Sequence, residues 1–171
     1  SNGVTENTVG LTYSGESGHL NESMSDVFGE LVDRRNGAGT DTAGVQWLIG
    51  EDVPGFGALR SMSDPTAAGF EDPDRTGSPL YEADPTLSDG RGVHTNSGVG
   101  NKAAFLIAQG GTFNNETVTA LGDAKAARIY HEVQTTLLGS ASDYADLGRA
   151  LVQACTNAVG VDGITAPDCA E

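Results

Sequence analysis

The chain has 171 residues, with 9 Lys plus Arg against 24 Asp plus Glu and a net charge of -15. A surface this acidic repels phosphate backbones and anionic lipid, so nucleic acid and membrane are poor partners, and no run of 18 apolar residues spans a bilayer. The length suits one domain, or two small lobes, and 24 glycines beside 37% hydrophobic residues point to long articulated loops rather than disorder.

Helical periodicity begins near Ser17 and runs to Arg35, where Asn36-Gly37 supplies a C-terminal stop. Within it Glu22 and Asp26 sit at i and i+4, so both carboxylates leave one face about one turn apart. Leu20, Met24, Val27, Phe28, Leu31 and Val32 form a separate apolar stripe. One helix thus offers an apolar face to a core and a paired-carboxylate face to a ligand, for which a metal is the obvious candidate. From Gly37 to Arg91 the chain is rich in Gly, Pro, Asp and Ser, which predicts loop, turn and short helix. A segment that long in a compact domain is expected to bind something.

A second helix is predicted from Asn96-Ser97 to Gln109, stopped by Gly110-Gly111, and a third from Leu121 to Leu138. Ser142 is expected to cap a fourth, with Tyr144, Leu147, Leu151, Val152 and Cys155 on its buried side. Apart from short pieces near Gly10 to Tyr13, no strand-like alternation of useful length occurs. The fold class is therefore mainly α, an antiparallel helix bundle with one long irregular loop region. Cys155 and Cys169 flank a turn containing Gly and Pro. Pairing them closes a short loop worth about 3 kcal/mol by the loop-entropy model; two free thiols are the alternative.

Four segments share a second property. Gly10-Leu-Thr-Tyr13 followed by Asn21-Glu22-x-x-x-Asp26, then Ile49-Gly-Glu-Asp-Val53, then Leu59-Arg-Ser-Met-Ser-Asp-Pro65, then Asp89-Gly-Arg-Gly-Val-His94-Thr-Asn-Ser resemble, in this order, segments of the thermolysin-like neutral zinc metalloendopeptidases, the M4 peptidases. Asn101 to Gly111 continues the likeness, which covers essentially the whole chain. The resemblance implies the C-terminal helical domain of such an enzyme, spanning residues 3–171, with Ser1-Asn2 as an expression remnant. The family's His-Glu-x-x-His is missing, and Asn2 stands where its second histidine would be. The N-terminal lobe of the same protein is thus the expected partner, and the chain alone is expected to be inactive.

On this resemblance Glu22 is the third protein ligand of zinc, and Asp26 accepts the other N–H of a ligating histidine. His94 and Tyr13 stabilise the oxyanion of a polypeptide substrate, and Asp89 orients the His94 ring. Arg60 holds a substrate carbonyl near the primed side. Ile49, Val53 and Leu59 wall a pocket for a large hydrophobic residue there, although core packing explains each of them equally well alone. Asp33 and Glu51 match calcium-ligand positions, with Asp52 adjacent. Because Gln46 and Leu48 stand where a fuller double site has acidic residues, one calcium at most is expected. The parent is expected to be secreted. The cleft-side apolar surface left by a missing lobe predicts dimerisation or marginal stability of the fragment. The rival reading is a non-catalytic peptide- or calcium-binding domain on the same fold. His19 and His131 receive no role.

Overall fold

A long helix that buries polar as well as apolar side chains organises the molecule. In this computed structural model, which describes residues 2–37, 39–84, 86 and 88–170, α1 (Asn2–Asn7) leads into α2 (Gly15–Asn36). Ser1, half of the dipeptide read as a remnant, lies outside the described residues. Glu16 in the first turn of α2 and Arg34 and Arg35 in the last complement the helix dipole, and Gly37 closes it in the left-handed conformation at φ 66°. The helix buries Leu20, Met24 and Val27 together with His19, Asn21, Glu22, Asp26 and Glu30. Val32, placed on the apolar stripe by its spacing, is instead 61% exposed.

The mainly α expectation holds, with corrections at the ends. The predicted second helix is α4 (Gly98–Gln109), and a short α3 (Val93–Asn96) that was not expected precedes it; both pack on α2. The packing is close: a Cβ at Gly18 would collide with Val93, and one at Gly100 with Ser23. α5 (Asp123–Glu132) continues as a single π turn over Val133–Leu137. α6 (Tyr144–Asn157) is capped by Asp143, not Ser142: Asp143 Oδ1 accepts the Asp146 N–H at 2.8 Å and Asp146 Oδ2 accepts the Asp143 N–H at 3.1 Å. Ser142 Oγ instead accepts the Gly139 N–H at 2.9 Å. Val152, expected on the buried side of α6, is 51% exposed.

Two short hairpins were not expected. β1 (Leu48–Ile49) pairs antiparallel with β2 (Arg60–Ser61), and β3 (Gly111–Phe113) with β4 (Glu116–Val118). The second turns at Asn114-Asn115, both with positive φ, the geometry that two-residue hairpin loops require. The piece from Gly10 to Tyr13 is not a strand, and the long loop segment holds β1 and β2 but no helix among its described residues. Cys155 and Cys169 form a disulfide that ties α6 to the 3-10 turn Ala166–Cys169 and so pins the tail. No helix among the described residues is long and apolar enough to cross a membrane.

The Glu30 carboxylate accepts the backbone N–H of Trp47, a residue held at φ 65°, and so anchors the entrance to β1. Burial raises its pKa from 4.5 to about 7, although the Trp47 N–H opposes the shift. Between those values the folded chain keeps a proton that the unfolded chain releases, so this group's contribution to stability falls as pH rises through the window. Glu30→Gln keeps an acceptor for Trp47 and removes the titration. Urea unfolding in chelator-containing buffer from pH 4.5 to 8 is expected to show a shallower loss of stability for the variant than for the wild type, and equal slopes would contradict the assignment.

Candidate functional site

Tyr13, Glu22, Asp89 and His94 come from the α1–α2 connection, from α2 and from the segment entering α3, and they meet at one face. The Tyr13 hydroxyl donates to Glu22 Oε1 at 2.6 Å and lies 3.3 Å from His94 Nε2. Glu22 Oε2 is 3.4 Å from the same Nε2. Asp89 grips His94 twice, accepting from ring Nδ1 at 2.8 Å and from the His94 backbone N–H at 3.1 Å. A carboxylate facing Nδ1 fixes a hydrogen there and turns Nε2 toward Tyr13 and Glu22. Glu22 is 6% exposed whereas the His94 side chain is half exposed, so a buried carboxylate floors an open imidazole.

The surroundings tune these groups. Partial burial, then the hydrogen bond and charge of Glu22, push the Tyr13 phenol above its ordinary pKa, so it stays a donor across the working pH range. Partial burial works against the Asp89 carboxylate, but the hydrogen bonds from His94 outweigh it and hold its pKa below the ordinary value.

Asp26, one turn beyond Glu22, is fully engaged. Its Oδ2 accepts from Arg60 Nε at 2.7 Å and from Asn101 Nδ2 at 2.8 Å, and its Oδ1 from Arg60 Nη2 at 2.8 Å. Asp26 is thus the buried half of a two-pronged ion pair with Arg60 that, with Asn101, joins α2 to β2 and α4. Ile49 is half-buried on β1, while Val53 and Leu59 are 45% and 54% exposed. The three lie around the β1–β2 connection, where Leu59 donates its N–H to the Ile49 carbonyl.

Asp33, Glu51 and Asp52 line one acidic cavity of about 240 Å³ with Glu30, Ile49 and Val53. Two of these carboxylates are already occupied, Glu30 by Trp47 N–H and Asp52 by the Thr40 N–H at 3.1 Å. Among the described residues no group of three or more His, Cys, Asp or Glu is arranged to hold a metal. The sequence reading missed Glu30, Asn96, Asn101 and His19 as contributors to this region. Glu30 could have been found by extending the Glu22–Asp26 spacing one further turn; the two asparagines and His19 carry no comparable signal.

A family model described as "Thermolysin metallopeptidase, alpha-helical domain" matches residues 9–167. A zinc metalloproteinase of Renibacterium salmoninarum is 49% identical over 99% of this chain, which covers 31% of that protein. Bacillolysin of Brevibacillus brevis is 44% identical over 93% of the chain, and a thermolysin of Alicyclobacillus acidocaldarius 43% over 92%; the chain covers 28% of each. Among solved structures, the precursor of protealysin, a metalloproteinase from Serratia proteamaculans, superposes with a TM-score of 0.70 at 30% identity, over 98% of this chain and 51% of that one. The chain thus spans about three-tenths of the length of these curated relatives.

Asp26 is buried and the Arg60 side chain is only 17% exposed, so removing either partner leaves a poorly solvated, uncompensated charge. Asp26→Ala is expected to cost about 3–5 kcal/mol of stability in urea denaturation, with much of it recovered in Asp26→Leu/Arg60→Met, which removes both charges. A loss under about 1 kcal/mol in the single variant would show the pair to be solvated and weak.

Proposed function

The chain belongs to the thermolysin metallopeptidase family as its alpha-helical domain, and from that premise we propose that it is the C-terminal half of a secreted zinc-dependent endopeptidase. Residues 3–171 form that domain in this reading, and an N-terminal lobe of the same protein completes the cleft. The observation that carries the proposal is the convergence of Tyr13, Glu22, His94 and Asp89 on one open face.

Glu22 would hold zinc together with two imidazoles supplied from upstream of this chain. It fits that part: a buried carboxylate with one oxygen fixed by Tyr13 and the other turned toward the open side at His94. One carboxylate cannot hold the ion alone, so the chain as it stands is expected to be inactive. When bound, the metal supplies Lewis-acid polarisation of the scissile carbonyl and acidifies a water.

The chain's own residues do the rest. As the peptide carbonyl becomes tetrahedral, negative charge collects on its oxygen. The Tyr13 hydroxyl and His94 Nε2 lie 3.3 Å apart on the same face, so the imidazolium Nε2–H and, once it turns from Glu22 Oε1, the Tyr13 O–H would both donate to that oxygen. Asp89 prevents the ring from rotating away and compensates its positive charge. Asp26 fixes Arg60, whose guanidinium would meet a substrate carbonyl on the primed side. Ile49, Val53 and Leu59 would receive a large hydrophobic side chain there. Asp33 and Glu51 would contribute to one calcium at most, completed by a ligand from upstream, because the carboxylates of the acidic cavity do not converge by themselves.

A protein carrying this chain and its native upstream lobe is expected to cleave peptides before large hydrophobic residues. Cleavage should stop with a zinc chelator and fall by at least about 1,000-fold in Glu22→Ala, a loss on the scale of removing the metal's contribution. The 171-residue chain should show none. No cleavage by a folded, zinc-loaded extended protein would instead support a non-catalytic peptide-binding domain.

The isolated chain also leaves an apolar groove of about 520 Å³, lined by Met24, Phe28 and Val32 of α2 and by His131 and Thr135 beside the π turn. The upstream lobe is the proposed occupant in the whole protein. Without it, sedimentation velocity is expected to show dimers or concentration-dependent loss of solubility. A very stable monomer at high concentration would argue against an uncovered docking face.

A further inference from the structure

His19 lies one turn before Glu22 on α2 and is 3% exposed. Its Nε2 is 3.0 Å from the carbonyl oxygen of Arg91. That carbonyl belongs to the middle of three successive left-handed residues, Gly90, Arg91 and Gly92, at φ 52°, 72° and 71°. These residues turn the chain between Asp89 and His94. Arg91 carries a side chain in a conformation that costs about 1–2 kcal/mol for any residue but glycine, so the turn persists because something holds it.

The ring is enclosed on every side. Tyr144 stacks on it with centroids 6.1 Å apart, and Tyr81 meets it edge-on at 5.9 Å with its hydroxyl 3.5 Å from Nδ1. Asn96 Nδ2 also lies 3.3 Å from Nε2, but that amide donates to the Glu82 carbonyl at 2.9 Å while its Oδ1 accepts the Glu82 N–H. Tyr144 in turn donates to the Asn96 carbonyl at 2.6 Å. A carbonyl oxygen can only accept, so the ring hydrogen sits on Nε2, and Nδ1 is left to face the Tyr81 hydroxyl. Burial lowers the His19 pKa, which keeps this neutral form dominant, with the Arg91 carbonyl opposing the shift.

We infer that His19 is a positioning residue for His94: by donating its buried Nε2–H to the Arg91 carbonyl, it locks the left-handed turn to the helix that carries Glu22. The inference rests on the peptidase reading for its consequence, not for its geometry. A single helix thereby sets the distance between the Glu22 carboxylate and the imidazole across from it, because Gly18 brings α2 against Val93 and His19 ties the same turn by its backbone.

Three measurements test this. In the wild-type chain, ring-nitrogen NMR of His19 is expected to show the Nε2–H tautomer with a slowly exchanging ring proton; the Nδ1–H tautomer would overturn the inference. Next, amide exchange is compared in His19→Leu, which keeps the volume but not the donor, and His19→Gln, whose amide can reach the same carbonyl. Exchange at residues 93–96 is expected to rise about tenfold or more in the Leu variant, with α6 unchanged and the Gln variant near wild type. A uniform rise through α4 and α6 would make His19 ordinary core packing and sink the proposal.

Finally, in the protein extended through its upstream lobe, His19→Leu is expected to lower kcat by about 10- to 100-fold with KM within about twofold, and His19→Gln to restore most of it. Unchanged kcat in an active enzyme would overturn the positioning role. If the extended wild type cleaves nothing, the peptidase reading fails, while the tautomer and exchange results still decide whether His19 locks the turn. Should the Leu variant not fold, the wild-type tautomer and the Gln variant carry the test.

Discussion

Three carboxylates at four-residue intervals on α2 govern the arrangement of the molecule. Glu22, Asp26 and Glu30 are all buried, between 3% and 6% exposed, along one edge of a helix whose other face fills the core. A buried carboxylate without partners is too costly to retain, so each must draw a donor from elsewhere in the chain. Glu22 takes the Tyr13 hydroxyl, Asp26 takes Arg60 and Asn101, and Glu30 takes the Trp47 N–H. The partners come from the connection before α2, from both ends of the β1–β2 hairpin, and from α4. The loops are therefore placed by the polar stripe as much as by the apolar one.

This explains why a chain with so much irregular backbone still presents an ordered site. Among its described residues the segment between α2 and α3 contributes only two short strands, yet it is fixed at Trp47 by Glu30 and at Arg60 by Asp26. Between those two anchors the hairpin loop carries Val53 and Leu59 outward, which suits a contact surface better than a core.

What was legible in the sequence follows from how locally each feature is encoded. The carboxylate pair on α2 reads directly from helical spacing, whereas Asp89 and His94 stood out only through the likeness of their segment to the M4 peptidases. The Asp143-x-x-Asp146 cap and the Asn114-Asn115 hairpin turn are equally local signals, outweighed in the sequence by Ser142 and by a mainly helical pattern. Val32 and Val152 show the limit of periodicity: a helical pattern reports which side chains could be buried, and exposure depends on what is packed opposite. Asn96, Asn101 and His19 were illegible for a different reason. Each acts on a backbone or side chain between 14 and 77 positions away, so only the folded chain brings donor and acceptor together.

The placement of His94 illustrates how an exposed reactive group can be held as firmly as a core residue. Val93 and Asn96 on either side of it are fully buried, one against Gly18 of α2 and the other clamped to Glu82 and Tyr144. In a single helical turn this leaves residue 94 pointing outward, and Asp89 removes the remaining rotation of its ring. The left-handed turn before it is then the weak link, since its backbone is unfavourable in isolation and its outer side faces solvent. A hydrogen bond from inside the core to that turn leaves the exposed side of His94 clear. Rigidity is thus delivered to His94 from behind, through the buried residues on either side of it and the turn that precedes it.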